Sequence, residues 1–390
     1  MKTSRIIATI AASFFIGGTL HAQAWKAKAI SDMKKGDFAK VEQTISKLSQ
    51  EEQNKHAWLI DSLQAMMSRI RDDFRLSREE GKKLLLEKVP GATDKQIEAW
   101  KQKKYLETRM IDGEERWFRK TISNFALLNK DVYPAEIVQG KKKEYAKVHP
   151  MCEHILTQKL EENNTCDWKK VNATFYIEVP ADAVPAGETI KAWLPYPFDN
   201  GRQRNFQLLS SSSSTTHSSG SLHHTIYMEQ KAVKGQPTRF EMKFSYEVGA
   251  QVFHQADILN NLKPYDKQSD LYKKFTAQEL PHMLVNKQMK TLAQKIVGAE
   301  TNPVLQASLI YDWISANYPW AGAIDYSTIP CIPQYVLDIN HGDCGQVTLL
   351  YISMLRSLGI PARWESGWVF DESGWTGYHD WGEIYFEGTG

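Results

Sequence analysis

The sequence has few cysteines, almost no net charge and, beyond its first residues, no long apolar run. Four cysteines in 390 residues exclude a disulfide-dense scaffold. A formal net charge of +2 favours neither nucleic acid nor anionic lipid as a partner. After residue 24 no run approaches the roughly 18 apolar residues of a membrane-spanning helix. These absences predict a globular chain that is long enough for two or three domains.

The first residues have the pattern of a secretory signal. Lys2 and Arg5 form a charged start, residues 6–20 are apolar, and Ala22-Gln23-Ala24 is typical of a cleavage site. A buried N-terminal helix is the alternative. The pattern predicts a signal peptide over residues 1–24 and a mature protein in the periplasm or outside the cell. No cysteine directly follows the cleavage site, so no lipid anchor is predicted.

The mature chain divides by the period of its apolar residues, which predicts an α+β fold of several domains. Residues 25–150 have a helical period and form the predicted N-terminal helical region with a hairpin. Within it, Asp94 is predicted to cap a short helix that carries Ile97 and Trp100. Asp112-Gly113 lies between two strand-like runs, which indicates a β-hairpin.

Residues 165–260 have a period of two instead. Alternating and aromatic-rich runs, separated by Pro, Gly and Asn turns, predict a small antiparallel β-sandwich. The serine-rich run Ser210–Ser221 is predicted to be a flexible connection between strands. His223-His224 lies beside it, but no carboxylate or cysteine pair accompanies these histidines, so no metal site is predicted.

The cysteines differ in their surroundings. In an oxidising compartment, the closely spaced Cys152 and Cys166 are predicted to form a disulfide. Cys331 and Cys344 remain, and Cys344 lies between two glycines at the head of an apolar run. A packing cysteine and a Cys331–Cys344 disulfide are the alternatives to a reactive thiol.

The last segment, residues 262–390, begins with helical patterns. One helix before Pro319 is predicted from four residues at helical spacing, which are Leu305, Leu309, Trp313 and Ile314. A second helix starts at Cys344 and ends at Gly359 and Pro361, with an apolar stripe formed by Val347, Leu350, Tyr351, Met354, Leu355 and Leu358. A thiol at this helix N-terminus faces free backbone N–H groups and the positive end of the dipole, which predicts a lowered thiol pKa.

A thiolate nucleophile needs a base, and His379 is the candidate. It begins an alternating strand on which His379, Trp381 and Glu383 share one face, while Asp380 points to the other. Imidazole takes the proton of a thiol and returns it to a leaving amine. Cys344 and His379 are therefore the predicted catalytic residues.

These residues resemble the core of the transglutaminase-like superfamily, in particular its exported bacterial members. The likeness rests on Gly-Asp-Cys opening a helix, Gly-Ile-Pro-Ala-Arg closing it, a strand with Ser-Gly-Trp, and His-Asp-Trp-x-Glu. The stretches "VPAGETIKAWLPYP" and "IDGEERWF" fit the same subgroup. The resemblance covers nearly the whole mature chain and implies a papain-like core over residues 262–390.

The resemblance also implies a catalytic triad. Cys344 would be the nucleophile, His379 the base, and an aspartate on the following strand would orient the imidazole. The sequence ends at Gly390 before such an aspartate, so the core is expected to be incomplete and the chain to be a nearly inactive fragment. Asp380 is not expected to replace this aspartate, because neighbouring strand residues point to opposite faces.

The implied function is a secreted cysteine hydrolase that cleaves amide bonds, expected in peptides, through an acyl-thioester on Cys344. The alternatives are a protein-glutamine transglutaminase, in which an amine replaces water, and a non-catalytic peptide- or carbohydrate-binding module. No cofactor or metal is implied. The expected partner is a peptide or protein substrate and not a nucleic acid. Trp320 or Tyr326 is the candidate for assisting an oxyanion, with core packing as the alternative for each.

Overall fold

The computed structural model describes residues 24–129, 132, 150–218, 224–370, 374 and 376–390. The predicted signal peptide, apart from its last residue, lies outside these ranges, and so does His223. The chain forms two compact units, one combining Met1–Val138 with Asn261–Gly390 and the other consisting of Gln139–Asn260. The first and last segments of the sequence therefore share a unit, and their division into separate domains stays a prediction. No helix of the described residues is both long and apolar enough to cross a bilayer.

The N-terminal module, residues 24–129, is mainly helical with one small sheet. Its elements are α1 (24–35), α2 (Phe38–Ser46), α3 (Gln50–Lys55), α4 (Ala57–Asp73), β1 (Leu76–Ser77), α5 (Arg78–Lys88), α6 (Asp94–Gln102), β2 (Thr108–Ile111), β3 (Glu114–Trp117) and α7 (Thr121–Leu128). The strands form an antiparallel sheet in the order β1-β3-β2. A cluster of buried side chains from the helices and the sheet holds the module together, with Trp117 and Phe125 fully buried.

Two local predictions are tested by this module. The hairpin between β2 and β3 is confirmed, and its turn has positive φ at both Asp112 (51°) and Gly113 (84°), as a two-residue type I′ turn requires. The predicted cap of α6 is wrong by one residue. Thr93 is the N-cap, because its side chain accepts the N–H of Gln96 and the Gln96 side chain returns a bond to the Thr93 N–H. Ile97 and Trp100 lie on α6, as predicted, and both are buried.

The unit Gln139–Asn260 contains α8 (Pro150–Leu156) and two antiparallel sheets of three strands. The strands are β4 (Thr165–Val179), β5 (Thr189–Pro195), β6 (Gln203–Ser211), β7 (Thr215–Ser218), β8 (Thr225–Lys231) and β9 (Thr238–Gln251), in the orders β4-β9-β6 and β5-β8-β7. Alternate residues of β9 are buried, among them Phe240, Met242 and Phe244. The antiparallel sheets agree with the predicted α+β class. The serine-rich run is not purely a connection, since Thr215–Ser218 pairs with β8 as a strand.

The predicted disulfide between Cys152 and Cys166 is wrong. Both cysteines are free in the structure. Cys152 is exposed on α8, whereas Cys166 is buried at the start of β4, where its thiol donates to the carbonyl of Ile155 at 3.9 Å.

The C-terminal core, residues 261–390, supplies the helices and the hairpin that surround Cys344. Following α9 (Gln255–Asn261), its elements are α10 (Asp270–Thr276), α11 (Lys287–Val297), α12 (Pro303–Asn317), a 3₁₀ turn (Tyr326–Thr328), α13 (Ile332–Ile339), α14 (Cys344–Leu358), β10 (Ala362–Phe370) and β11 (Thr376–Ile384). The strands β10 and β11 pair antiparallel in direct register from Ala362 with Ile384 to Phe370 with Thr376.

Helix α14 is the centre of this core. The predicted start at Cys344 and stop at Gly359 are confirmed, and Gly359 has the left-handed φ of 82° typical of a helix C-cap. The predicted stripe is only partly right, because Leu350, Met354 and Leu355 are buried, whereas Val347, Tyr351 and Leu358 are only partly buried. Residues outside the stripe are buried as well, including Leu349, Ile352 and the polar Ser353. A helix that is buried on most sides has apolar residues all around it, so its sequence pattern does not mark one core-facing stripe.

The buried face of α12 also differs from the prediction. The helix itself is confirmed, but its buried residues are Val304, Ala307, Ile310 and Ile314. Leu305 and Leu309 of the predicted face are exposed instead. Apolar residues occur around most of this helix, so the sequence pattern does not specify which side faces the core.

A buried arginine fixes the end of α14. The guanidinium of Arg356 donates from Nε to the carbonyl of Ala362 at 2.8 Å and from Nη1 to the carbonyl of Ala277 at 2.7 Å. Nη1 also lies 2.9 Å from Oε2 of Glu279. The side chain of Arg356 is 1% exposed, so these partners replace water around the charge. The arginine thereby joins α14, β10 and the segment after α10.

We expect Arg356→Ala to reduce the free energy of unfolding by about 3–5 kcal/mol, because buried carbonyls and a carboxylate would lose their donor. Urea unfolding followed by circular dichroism measures the change. Arg363→Ala is the matched control, since Arg363 pairs with Glu383 on the surface and should cost less than about 1 kcal/mol. Equal losses in the two variants would contradict the role of Arg356.

Candidate active site

The thiol of Cys344 lies at the first residue of α14. Asp343 is the N-cap, and its side chain accepts the N–H of Gln346 at 3.0 Å while the Gln346 side chain accepts the N–H of Asp343 at 3.3 Å. This reciprocal capping box defines the first turn of the helix. A Cβ added to Gly345 would meet the phenol oxygen of Tyr326 and, at 2.6 Å, a carboxylate oxygen of Asp380. Glycine at position 345 therefore allows the Tyr326 hydroxyl and the Asp380 carboxylate to approach the first turn of the helix.

The surroundings of the sulfur favour the neutral thiol. Cys344 Sγ donates to Oδ2 of Asp380 at 3.6 Å. Burial raises the pKa of the Cys344 thiol, and the charges of Asp343 and Asp380 raise it further. The backbone N–H groups of Asp380 and Gly345 act in the opposite direction. The predicted lowering of the thiol pKa is therefore wrong for this arrangement, because burial and two carboxylates outweigh the helix N-terminus.

His379 lies on the other face of β11 from Asp380. In the hairpin register, Asp380 is opposite Ser366 and His379 is opposite Gly367. The Asp380 carboxylate reaches Cys344, whereas His379 is exposed with its ring 6.5 Å from that of Trp381. The opposite orientation of the two neighbours agrees with the predicted strand alternation. The structure brings Asp380, and not His379, to the predicted nucleophile.

Tyr326 completes the group around Cys344. Its hydroxyl donates to Oδ1 of Asp343. Burial is the main cause that raises the pKa of Tyr326, and the nearby charges of Asp343, Asp380 and Cys344 raise it further. Trp320, the other predicted oxyanion candidate, is 57% exposed and forms a parallel bridge with Gly342. The partnership of Tyr326 with Asp343 links two segments that are 17 residues apart, so no local sequence pattern reveals it.

His341 lies three residues before the thiol and is buried. Only 4% of the residue is exposed, and burial lowers its pKa to about 4. A neutral imidazole is therefore part of the packing under the site rather than of its solvent face. In the part of the chain that the structure describes, no group of three or more His, Cys, Asp or Glu side chains is placed to bind a metal ion.

The C-terminal core matches a known family. Residues 290–390 match the family described as the Transglutaminase-like superfamily, and this range includes α12 to β11 with Cys344 and His379. A protein of Haemophilus influenzae, named "Uncharacterized protein", is 29% identical over 111 residues, which cover 26% of this chain and 29% of that relative. The chain thus aligns with less than a third of the relative's length. The last hundred residues carry a transglutaminase-like core, as the sequence motifs predicted.

Solved structures give a distant likeness. A protein of Cytophaga hutchinsonii named "Putative Cysteine Protease" superposes with a TM-score of 0.43 and 19% identity, covering 57% of this chain and 75% of the other. The periplasmic domain of TgpA from Pseudomonas aeruginosa gives a TM-score of 0.27 and 16% identity, covering 57% and 69%. Likenesses at this level carry no argument about function.

We expect Asp380→Asn to accelerate alkylation of Cys344 by iodoacetamide at pH 7.5. The substitution keeps the size of the side chain and removes a negative charge 3.6 Å from the sulfur. A fall of about one unit in the thiol pKa corresponds to a roughly tenfold gain in the thiolate fraction. Mass spectrometry of the labelled peptide over a range of pH measures the effect.

His379→Gln is the paired control for this measurement. Because His379 is exposed on the opposite face of β11, its replacement should leave the pH dependence of Cys344 alkylation unchanged. A raised thiol pKa in His379→Gln would contradict the observed orientation of the strand. No acceleration in Asp380→Asn would contradict the contact between the carboxylate and the thiol.

The burial of His341 predicts a pH dependence of stability. Its folded pKa of about 4 lies below the ordinary value of 6.5, so the unfolded chain takes up the proton more readily. The stabilising contribution is complete above pH 6.5 and is lost as the pH falls toward 4. Between pH 7 and pH 4, the wild type should lose about 3 kcal/mol more unfolding free energy than His341→Gln. Urea unfolding at both pH values tests this, and parallel losses would refute it.

Proposed function

We propose that the chain is a cysteine hydrolase that cleaves amide bonds in peptides through an acyl-thioester on Cys344. The observation that carries the proposal is the position of this thiol at the first residue of α14, where the backbone N–H groups of Gly345 and Asp380 act on the sulfur. Backbone donors at a helix N-terminus are suited to stabilising negative charge, first on sulfur and then on the oxygen of a tetrahedral intermediate.

The reaction has two half-reactions. The thiol proton passes to a base, the sulfur bonds to the amide carbon, and the carbon–nitrogen bond then breaks as the amine leaves with that proton. Water then attacks the thioester, releasing a carboxylic acid and restoring the thiol. If an amine replaced water in the second half-reaction, the same residues would carry out transamidation.

The sequence and the geometry point to different residues as the base. His379 is the predicted base, and imidazole has a pKa well matched to proton transfer near neutral pH. Asp380 is the group that accepts the hydrogen bond of the thiol. Burial raises the pKa of the Asp380 carboxyl, which makes it a better proton acceptor than an ordinary aspartate. We propose His379 as the base in turnover, because imidazole suits proton transfer near neutral pH, and Asp380 is the alternative base because it contacts the thiol.

Export is also part of the proposal. The charged, apolar and small-residue pattern over residues 1–24 supports a signal peptide. We therefore place the mature protein in the periplasm or outside the cell. Mass spectrometry of the N-terminus after expression in a bacterium tests the cleavage after Ala24.

We expect the natural full-length protein to release carboxylic acid from a peptide library, and Cys344→Ala to abolish this release because no nucleophile remains. Mass spectrometry in water containing ¹⁸O detects the new carboxylate, and added primary amine distinguishes hydrolysis from transamidation. His379→Gln should reduce turnover by about 10²-fold or more if imidazole is the base, whereas Asp380→Asn should not.

Cys331→Ala is the matched control for the nucleophile, since Cys331 is a partly exposed thiol at the start of α13. It should keep full turnover. A product that contains the added amine and no ¹⁸O would favour the transglutaminase. Binding of peptides without any product in wild type would favour the non-catalytic module.

A further inference from the structure

The segment that carries Tyr326 is held by the N-terminal module. We call residues 320–328 the site loop. The amide of Asn124 forms two hydrogen bonds with Gly322 of this loop, donating to its carbonyl at 2.8 Å and accepting its N–H at 2.8 Å. Asn124 is 3% exposed, so both bonds are shielded from water. An amide that pairs with both backbone groups of one residue fixes the path of the chain there.

A buried carboxylate holds the loop next to Tyr326. Oδ2 of Asp73 accepts the N–H of Asp325 at 2.6 Å, and Oδ1 accepts from Nε of Arg119 at 3.1 Å. Asp73 is 2% exposed. A buried charge is retained only where its hydrogen-bonding capacity is used, and the loop N–H is one of the groups that use it.

A third contact follows Tyr326 directly. Nη1 of Arg69 donates to the hydroxyl of Ser327 at 2.6 Å. Residues before and after Tyr326 are thus both bonded to side chains of α4, since Asp73 and Arg69 belong to that helix. The phenol of Tyr326 lies between these anchors and has little freedom to leave its position.

The phenol in turn acts on the environment of the thiol. Tyr326 donates to Asp343, whose negative charge is one of the causes that raise the pKa of Cys344. The groups that face the sulfur are Asp343, Asp380 and this phenol. A donated hydrogen bond disperses the charge of the Asp343 carboxylate and so makes thiolate formation easier.

We propose that the N-terminal module is a positioning part of the active centre, in which Asp73 and Asn124 act on Cys344 through Tyr326. The inference rests on the proposed function for its role in turnover, but the effect on the thiol is separate from turnover. The module is then required for the reactivity of Cys344 and is not an independent appendage of the core.

The test is a double-mutant cycle read out on the thiol. Tyr326→Phe removes one hydroxyl and should slow iodoacetamide alkylation of Cys344 at pH 7.5 about threefold, through a pKa rise of about half a unit. Asn124→Ala loosens the loop and should change the rate in the same direction by a smaller factor. The double variant should match Tyr326→Phe alone, because the module acts through this residue.

Controls separate positioning from folding. Asn317→Ala removes an amide that donates to the carbonyl of Trp313 at the end of α12, and it should leave the alkylation profile unchanged. Urea unfolding shows the stability of each variant. If Asn124→Ala does not fold, Arg69→Ala replaces it in the cycle, since the bond to Ser327 is exposed and costs little stability.

The proposal is overturned if Asn124→Ala or Arg69→Ala leaves the pH profile of alkylation unaltered, or if either effect adds to that of Tyr326→Phe. Amide turnover is measured separately in the same variants. If the double-mutant cycle on Cys344 alkylation gives the expected result but no variant turns over amide, the hydrolase proposal is refuted and the positioning role stands. If wild type turns over amide but the alkylation cycle does not give the expected result, the hydrolase proposal stands and the positioning role is refuted.

Discussion

The carboxylate of Asp343 is the group on which the rest of the site depends. It accepts the N–H of Gln346 and thereby starts α14, and it also accepts the phenol of Tyr326. The helix start determines where the sulfur of Cys344 lies, and the phenol bond connects the site loop to the same carboxylate. One side chain therefore couples a backbone requirement, which is the capping of free N–H groups, to the electrostatic surroundings of a thiol.

The second constraint is the alternation of side chains between the two faces of β11. Neighbouring strand residues point to opposite faces, so only one of His379 and Asp380 can lie over α14. Gly382 shares the face of Asp380, and a Cβ there would touch Thr348 and Ile352 of α14, which shows how closely this face packs on the helix. Exchanging the face would require a one-residue slip along the whole hairpin. The choice between imidazole and carboxylate at the sulfur is therefore a property of strand register, and no single side-chain rotation changes it.

The sequence predicts local features well and their assembly poorly, for physical reasons. Helix ends depend on nearby residues, so the start at Cys344 and the stop at Gly359 are readable from the chain. The predicted lowering of the thiol pKa is wrong, because burial of the sulfur in the assembled core raises that pKa, and the charges of Asp343 and of Asp380, 36 residues further along, raise it more. The buried side of α12 was also wrong, because Leu305 and its buried neighbour Val304 are equally apolar in the sequence. The role of Asn124 in the C-terminal core has no sequence signal, since its partner is the backbone of a glycine.

The separation of these partners along the chain bears on how the site is assembled. Asn124 and Gly322 are 198 residues apart, and Asp73 and Asp325 are 252 apart, with the unit Gln139–Asn260 between them in sequence. Closing such long loops has an entropic cost that grows only slowly with length, so the buried bonds of Asp73 and Asn124 offset it once the surrounding side chains pack. Contacts of this range slow folding, because the entropy of closing the loop is lost before the contacts add stability. The thiol therefore acquires its final surroundings only when the first and last segments of the chain have joined, which ties the reactivity of Cys344 to complete folding of the unit.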